Sequence, residues 1–101
     1  MVEVVTLIAT TYETDALNVM IPKETRRDVW ARLDSVSRAD FYRAGMAGLR
    51  PEIVAVTQLV NYEGETIAEI GGKRYAVYRT YHAAESDEIE LYLEDRAGVR
   101  D

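Results

Sequence analysis

His82, the single imidazole of this chain, closes the stretch GGKRYAVYRTYH (71–82), which also holds Tyr75, Tyr78, Tyr81, Arg74 and Arg79. An imidazole among phenols and guanidiniums could act as a general base or a metal ligand. A catalytic histidine, however, needs a nucleophile and an orienting acid, and a metal site needs several ligands. With no second histidine and no cysteine in the sequence, a strand-end histidine facing water is the stronger reading. The acids that follow, Glu85, Asp87, Glu88 and Glu90, could attract a hard cation, but they lack the D-x-[DN]-x-[DN]-G spacing that wraps calcium. Alternation instead places Glu88 and Glu90 together on a solvent face. Eighteen acidic residues make paired carboxylates plentiful by chance, and no P-loop, GxGxxG or GxSxG is present. The residues therefore point to no catalytic, cofactor-binding or metal-ligating group, and the expectation is a protein that is not an enzyme.

The same tyrosines and arginines have a second use. At strand spacing, Tyr75, Val77, Arg79 and Tyr81 share one face, and Arg74, Ala76, Tyr78, Thr80 and His82 the other. Tyrosine suits a barrel wall, where its ring packs and its hydroxyl reaches water. Tyr and Arg are also enriched at protein contacts. Tyr78 and Arg79, and separately Arg43 and Arg50 on the charged side of a predicted helix, are the candidate protein-interface residues.

The elements that must position these groups follow from pattern. Residues 2–12 are β-branched and aromatic and read as a strand, with turn chemistry at 15–18 and a charged connector, KETRR, at 23–27. In DVWARLDSV, Val29, Ala31 and Leu33 alternate with Trp30, Arg32 and Asp34, which makes a strand with one apolar face. Ser37 and Asp40 stand at capping-box spacing ahead of a short helix, about 37–48. Its period puts Phe41, Tyr42, Gly45, Met46 and Leu49 on one side and Asp40, Arg43 and Arg50 on the other. Pro51 prevents continuation. Beyond it the chain reads as strands and turns: IVAVTQLVNY, a turn at NYEGE, ETIAEI, a Gly71-Gly72 hairpin, KRYAVYRTYH, and EIELYLED with Ile89, Leu91 and Leu93 on one face. Val29, Ala31, Leu33, Phe41, Leu49, Tyr75, Val77, Ile89, Leu91 and Leu93 form the predicted core.

The fold this predicts is mainly β, a small antiparallel SH3-like β-barrel of five or six strands with one inserted helix, since a small sheet removes its edges most simply by curling closed. Residues 1–101 should form a single domain, with 96–101 frayed. The absence of cysteine fits a reducing compartment. Glu3 and the short N-terminal apolar run predict no signal peptide and no membrane span. The formal charge of −6 argues against a dedicated nucleic-acid binder, because phosphate affinity comes from clustered Lys and Arg. From the residues alone, the chain is a small β-rich binding or assembly module. A single-strand nucleic-acid binder or a protein adaptor stays open as the alternative.

Three phrases in order, RDVWARLDSVSRADFYRAGMAGLRPE, NYEGE and IGGKRYAVYRTYHAAESDEIELYLEDRAG (within 26–98), resemble the tailed-phage head closure proteins, also called head–tail joining or head–tail adaptor proteins. The N-terminal residues 1–25 match only loosely. The resemblance implies a structural virion protein, phage or prophage encoded and made in the bacterial cytoplasm, that sits in the virion neck. It implies self-association into a ring, expected to be dodecameric, between the portal or connector and a tail-end protein. It also implies a role in closing the DNA exit channel, with DNA passing through without specific binding, and no cofactor.

Overall fold

The computed structural model describes residues 2–36, 38–46 and 51–95. Its elements in chain order are β1 (Val2–Thr14), β2 (Met20–Ser35), α1 (Arg38–Met46), β3 (Pro51–Gln58), a 3₁₀ turn (Leu59–Asn61), β4 (Ile67–Ile70), β5 (Lys73–Tyr81) and β6 (Glu88–Asp95). The strands close into a six-stranded antiparallel barrel in the order β1-β2-β3-β6-β5-β4. Closure gives every strand a neighbour on each side, as expected for a sheet of this size.

The interior is built from alternating positions. Val5 and Leu7 of β1, Val29 and Ala31 of β2, Ala55 of β3, Ala68 of β4, Tyr75 of β5 and Ile89, Leu91 and Leu93 of β6 form one buried cluster. Leu33 and Val77 pack against its margin. Of the ten predicted core residues, the side chain of Phe41 and all of Leu49 lie outside the described residues, as do Ser37, Arg50 and 96–101. The Gly71-Gly72 turn joins β4 to β5 with Ile70 opposite Lys73, and both glycines adopt the positive φ, 57° and 83°, that the tight turn needs.

Several expectations are corrected. Residues 23–27 are strand, not connector: they pair with Thr11 through Leu7 of β1 in one unbroken ladder. Their charges obscure this because both faces of that segment meet water, so no apolar period marks it. The strand expected over IVAVTQLVNY stops at Gln58, where the chain turns through Leu59–Asn61. Tyr42, Gly45 and Met46 of α1 are exposed, Met46 to 90%. The expected apolar stripe is therefore not buried at these positions: the barrel closes its core strand to strand, and α1 lies against β3.

The largest correction concerns β5. Its register against β6 shifts between Val77, opposite Leu93, and Arg79, opposite Tyr92. Tyr78 is thus the extra residue of a β-bulge, which resets the alternation. Tyr75 and Val77 face inward as predicted, but Arg79 and Tyr81 move to the outer face with Tyr92 and Glu90.

Candidate interaction surface

The ladder of β1 with β2 runs from Val2 opposite Arg32 to Thr14 opposite Met20. The neighbouring strands cover only part of it: β4 pairs with β1 at Thr6, Leu7 and Ile8, and β3 pairs with β2 from Arg32 to Ser35. The distal half of the hairpin therefore extends past the barrel as an arm, and the molecule measures 49 × 31 × 27 Å. The tip is a built turn. Asp15 Oδ1 accepts the N–H groups of Leu17 (2.8 Å) and Val19 (2.9 Å), the Asp15 N–H donates to the Val19 carbonyl, and Asn18 takes the left-handed φ of 61° that asparagine tolerates. Around it Tyr12, Leu17, Val19, Met20 and Ile21 are all exposed.

Two polar clusters fasten the arm at its root. On one side, Arg27 donates from Nε (3.1 Å) and Nη2 (2.7 Å) to Oε2 of Glu65, and Nη2 also donates to the Asn61 carbonyl. Oε1 of Glu65 accepts the Glu63 N–H at 2.8 Å, and the Tyr62 hydroxyl donates to the Glu65 carbonyl. Asn61 Nδ2 donates to Thr57 Oγ1, which donates to the Trp30 carbonyl. This clasp pins the β3–β4 connection to β2 around Glu65, the one buried carboxylate among the described residues. On the other side, Arg74 forks onto both oxygens of Glu24 (3.0 and 3.1 Å) and Arg26 reaches Glu69 at 2.7 Å, tying the shaft to β4 and β5. The Arg74 hydrogen bond holds the Glu24 carboxyl below its usual range, with the charges of Arg74 and Arg26 adding to it against the opposing effect of burial.

Burial alone would raise the Glu65 carboxyl. The Arg27 hydrogen bond, the backbone N–H groups and the guanidinium charge outweigh it and hold this carboxyl below the ordinary 4.5. The unfolded chain then takes up its proton at higher pH than the folded one, so the contribution of Glu65 is complete above 4.5 and is lost as pH falls through the lowered folded value. Thermal melts should decline more steeply below pH 4.5 in the native chain than in Glu65→Gln, whose carboxamide does not titrate. Parallel profiles for the two proteins would remove this role from Glu65.

Among the described residues, the candidate interface residues lie in two places. Arg79 is exposed with its guanidinium 3.8 Å above the Tyr92 ring. Tyr78 is half-buried and meets Tyr92 edge-on at 6.3 Å, while the Tyr92 hydroxyl donates to Glu90 at 2.6 Å. Arg43 is exposed on α1, which lies on β3, with β6 between β3 and β5. Arg50 is outside the described residues. His82 is exposed, and its Nε2 lies 2.6 Å from the Ser86 carbonyl oxygen, closing the β5–β6 turn. Among the described residues no group of three or more His, Cys, Asp or Glu could hold a metal ion.

What pattern reading misses is the arm, and that Val2 and Val4, at 61% and 43% exposure, join Trp30, at 66%, on the outer wall, where alternation does place Trp30, directly opposite Val4. One signal was available. The segment TTYET (10–14) keeps strand propensity while losing every apolar alternation, as a strand does once it leaves a core behind.

No protein-family model matches the chain, and no curated protein matches it. Among the described residues no helix is long and apolar enough to cross a membrane.

Proposed function

We propose that the chain is a non-enzymatic joining subunit of a tailed-phage neck, assembling as a ring between the portal or connector and the tail. The observation that carries this reading is the arm. A closed barrel needs no hairpin standing past its wall, and an isolated domain gains nothing from exposing Leu17, Val19, Met20 and Ile21 at the tip. Apolar side chains held out by a capped turn and anchored at the root by two ion-pair clusters suit a contact with another protein. The ordered phrases over 26–98 that resemble head closure proteins supply the kind of assembly in which such a contact is used.

The test is to replace residues 12–22 with Asn-Gly, closing the hairpin on the Thr11–Lys23 pair. Thermal melting should stay within about 5 °C of the parent, because the removed side chains lie outside the core. Addition of a ring of density to portal complexes in electron micrographs should be lost. A shortened chain that still adds that ring would sink the proposal.

A further inference from the structure

The hydrogen-bond ladder of the arm shows which backbone groups are left for another chain. Asp15 donates to Val19, so Asp15–Val19 is a hydrogen-bonded pair. By alternation along an antiparallel ladder, the odd-numbered pairs exchange bonds inside the hairpin and the even-numbered residues point their N–H and C=O groups outward. Two contacts agree with this phase: the carbonyl of Trp30, an even position, is taken from outside by Thr57, and Thr25 Oγ1 reaches inward to the carbonyl of its partner Ala9. On the distal arm the outward groups are therefore those of Thr10, Tyr12 and Thr14 along β1, and those of Met20, Pro22 and Glu24 along β2. Among the described residues no strand pairs with either stretch.

The two edges differ in charge. Residues 9–18 hold Glu13 and Asp15 and no base, for a formal charge of −2. Residues 19–25, spanning the open part of β2, hold Lys23 and Glu24, for a formal charge of 0, since Arg26 and Arg27 are engaged at the root by Glu69 and Glu65. Pairing β1 with β1 would set two acidic edges together. Pairing β2 with β2 would put Pro22, which lacks a donor, on both sides of the seam. The β1 edge against the β2 edge avoids both the like-charge pairing and the doubled proline. In copies standing side by side with their arms parallel, β2 of one and β1 of the next run antiparallel without further rearrangement.

We infer that the arm is a strand-addition element whose open β1 edge pairs with the open β2 edge of a second copy. Such a contact is heterologous, so it propagates from copy to copy and forms a ring where the rotation between copies closes, whereas a symmetric contact would stop at a dimer. This deepens the ring reading above and rests on its self-association, not on the identity of the portal.

The chain has no cysteine, which allows a direct test by disulfide capture. Thr11→Cys is prepared as one protein, and Ile21→Cys and Lys23→Cys as two others, because odd positions face each other closely across such a seam. Oxidation of the Thr11→Cys chain mixed with either partner, on portal complexes, should give covalent dimers, and each variant alone should give none. Thr14→Pro removes one outward donor and leaves the inner ladder intact, so it should raise the concentration for half-assembly about tenfold, with Thr14→Val unchanged. Covalent dimers from Thr11→Cys alone would overturn the proposal in favour of a symmetric edge. Rings that form without capture in either mixture, and with Thr14→Pro assembling normally, would overturn the seam and leave the ring reading standing. A chain that stays monomeric at every concentration and on portal complexes would overturn both.

Discussion

Replacing Arg27 with methionine is expected to lower the unfolding free energy by about 2–3 kcal/mol and the Tm by on the order of 10–20 °C. The loss comes from the charge that is left behind. Glu65 is 4% exposed, and Arg27 supplies two of the three hydrogen bonds to its carboxylate. Breaking a fully buried pair by removing one partner costs about 3–5 kcal/mol, since the other charge stays desolvated. The Arg27 side chain is 37% exposed, so water takes over part of its role and the figure is discounted accordingly. Methionine keeps an unbranched aliphatic stem at this position, so the loss reports the guanidinium.

Neutralising the acid as well separates charge from shape. In Arg27→Met with Glu65→Gln, the carboxamide still accepts the Glu63 N–H but carries no buried charge, and part of the lost stability should return. Melts of the three proteins at neutral pH decide the matter. A Tm change under about 3 °C in the single variant would mean that the clasp does not hold the β3–β4 connection to the arm.

The contrast between legible and illegible features follows the same physics. β6 was readable because Ile89, Leu91 and Leu93 face a core while Glu88, Glu90 and Tyr92 line the outer wall, and a two-residue period survives only where the faces differ in solvent. The Gly71-Gly72 hairpin was readable because positive φ at adjacent positions restricts the residue type. The charged half of β2 was not, since both of its faces meet water and its strand conformation is set by the partner strand. The bulge at Tyr78 depends on how β5 meets β6, and the clasp joins residues 38 positions apart. Neither relation exists within a local window. The helix shows the opposite case: Tyr42 and Met46 belong to an apolar stripe in the sequence, yet both side chains are exposed in the isolated chain.

Leu91→Ala and Leu17→Ala make the same chemical change at two ends of the exposure scale, 1% and 81%, and are expected to separate folding from association. Leu91 sits in the cluster with Leu93, Ile89 and Tyr75. Its truncation removes apolar burial and leaves a cavity that a closed barrel relaxes into poorly, at a cost of about 3–4 kcal/mol. Against the roughly 5–15 kcal/mol that holds a typical domain folded, that is enough to shift a denaturation midpoint well outside error. Leu17 has almost nothing around it in the isolated chain, so its truncation should change stability by less than about 0.5 kcal/mol. If a partner buries that side chain, as the joining role requires, Leu17→Ala forfeits about 2 kcal/mol per contact, which weakens assembly on the portal by more than tenfold. Denaturation curves and portal binding measured on both variants therefore give opposite rankings. Equal losses of stability would show that the tip packs onto the barrel and is no free arm. Full portal binding by a well-folded Leu17→Ala chain would take this leucine out of the contact and leave Val19, Met20 and Ile21 as the remaining apolar groups of the tip to make it.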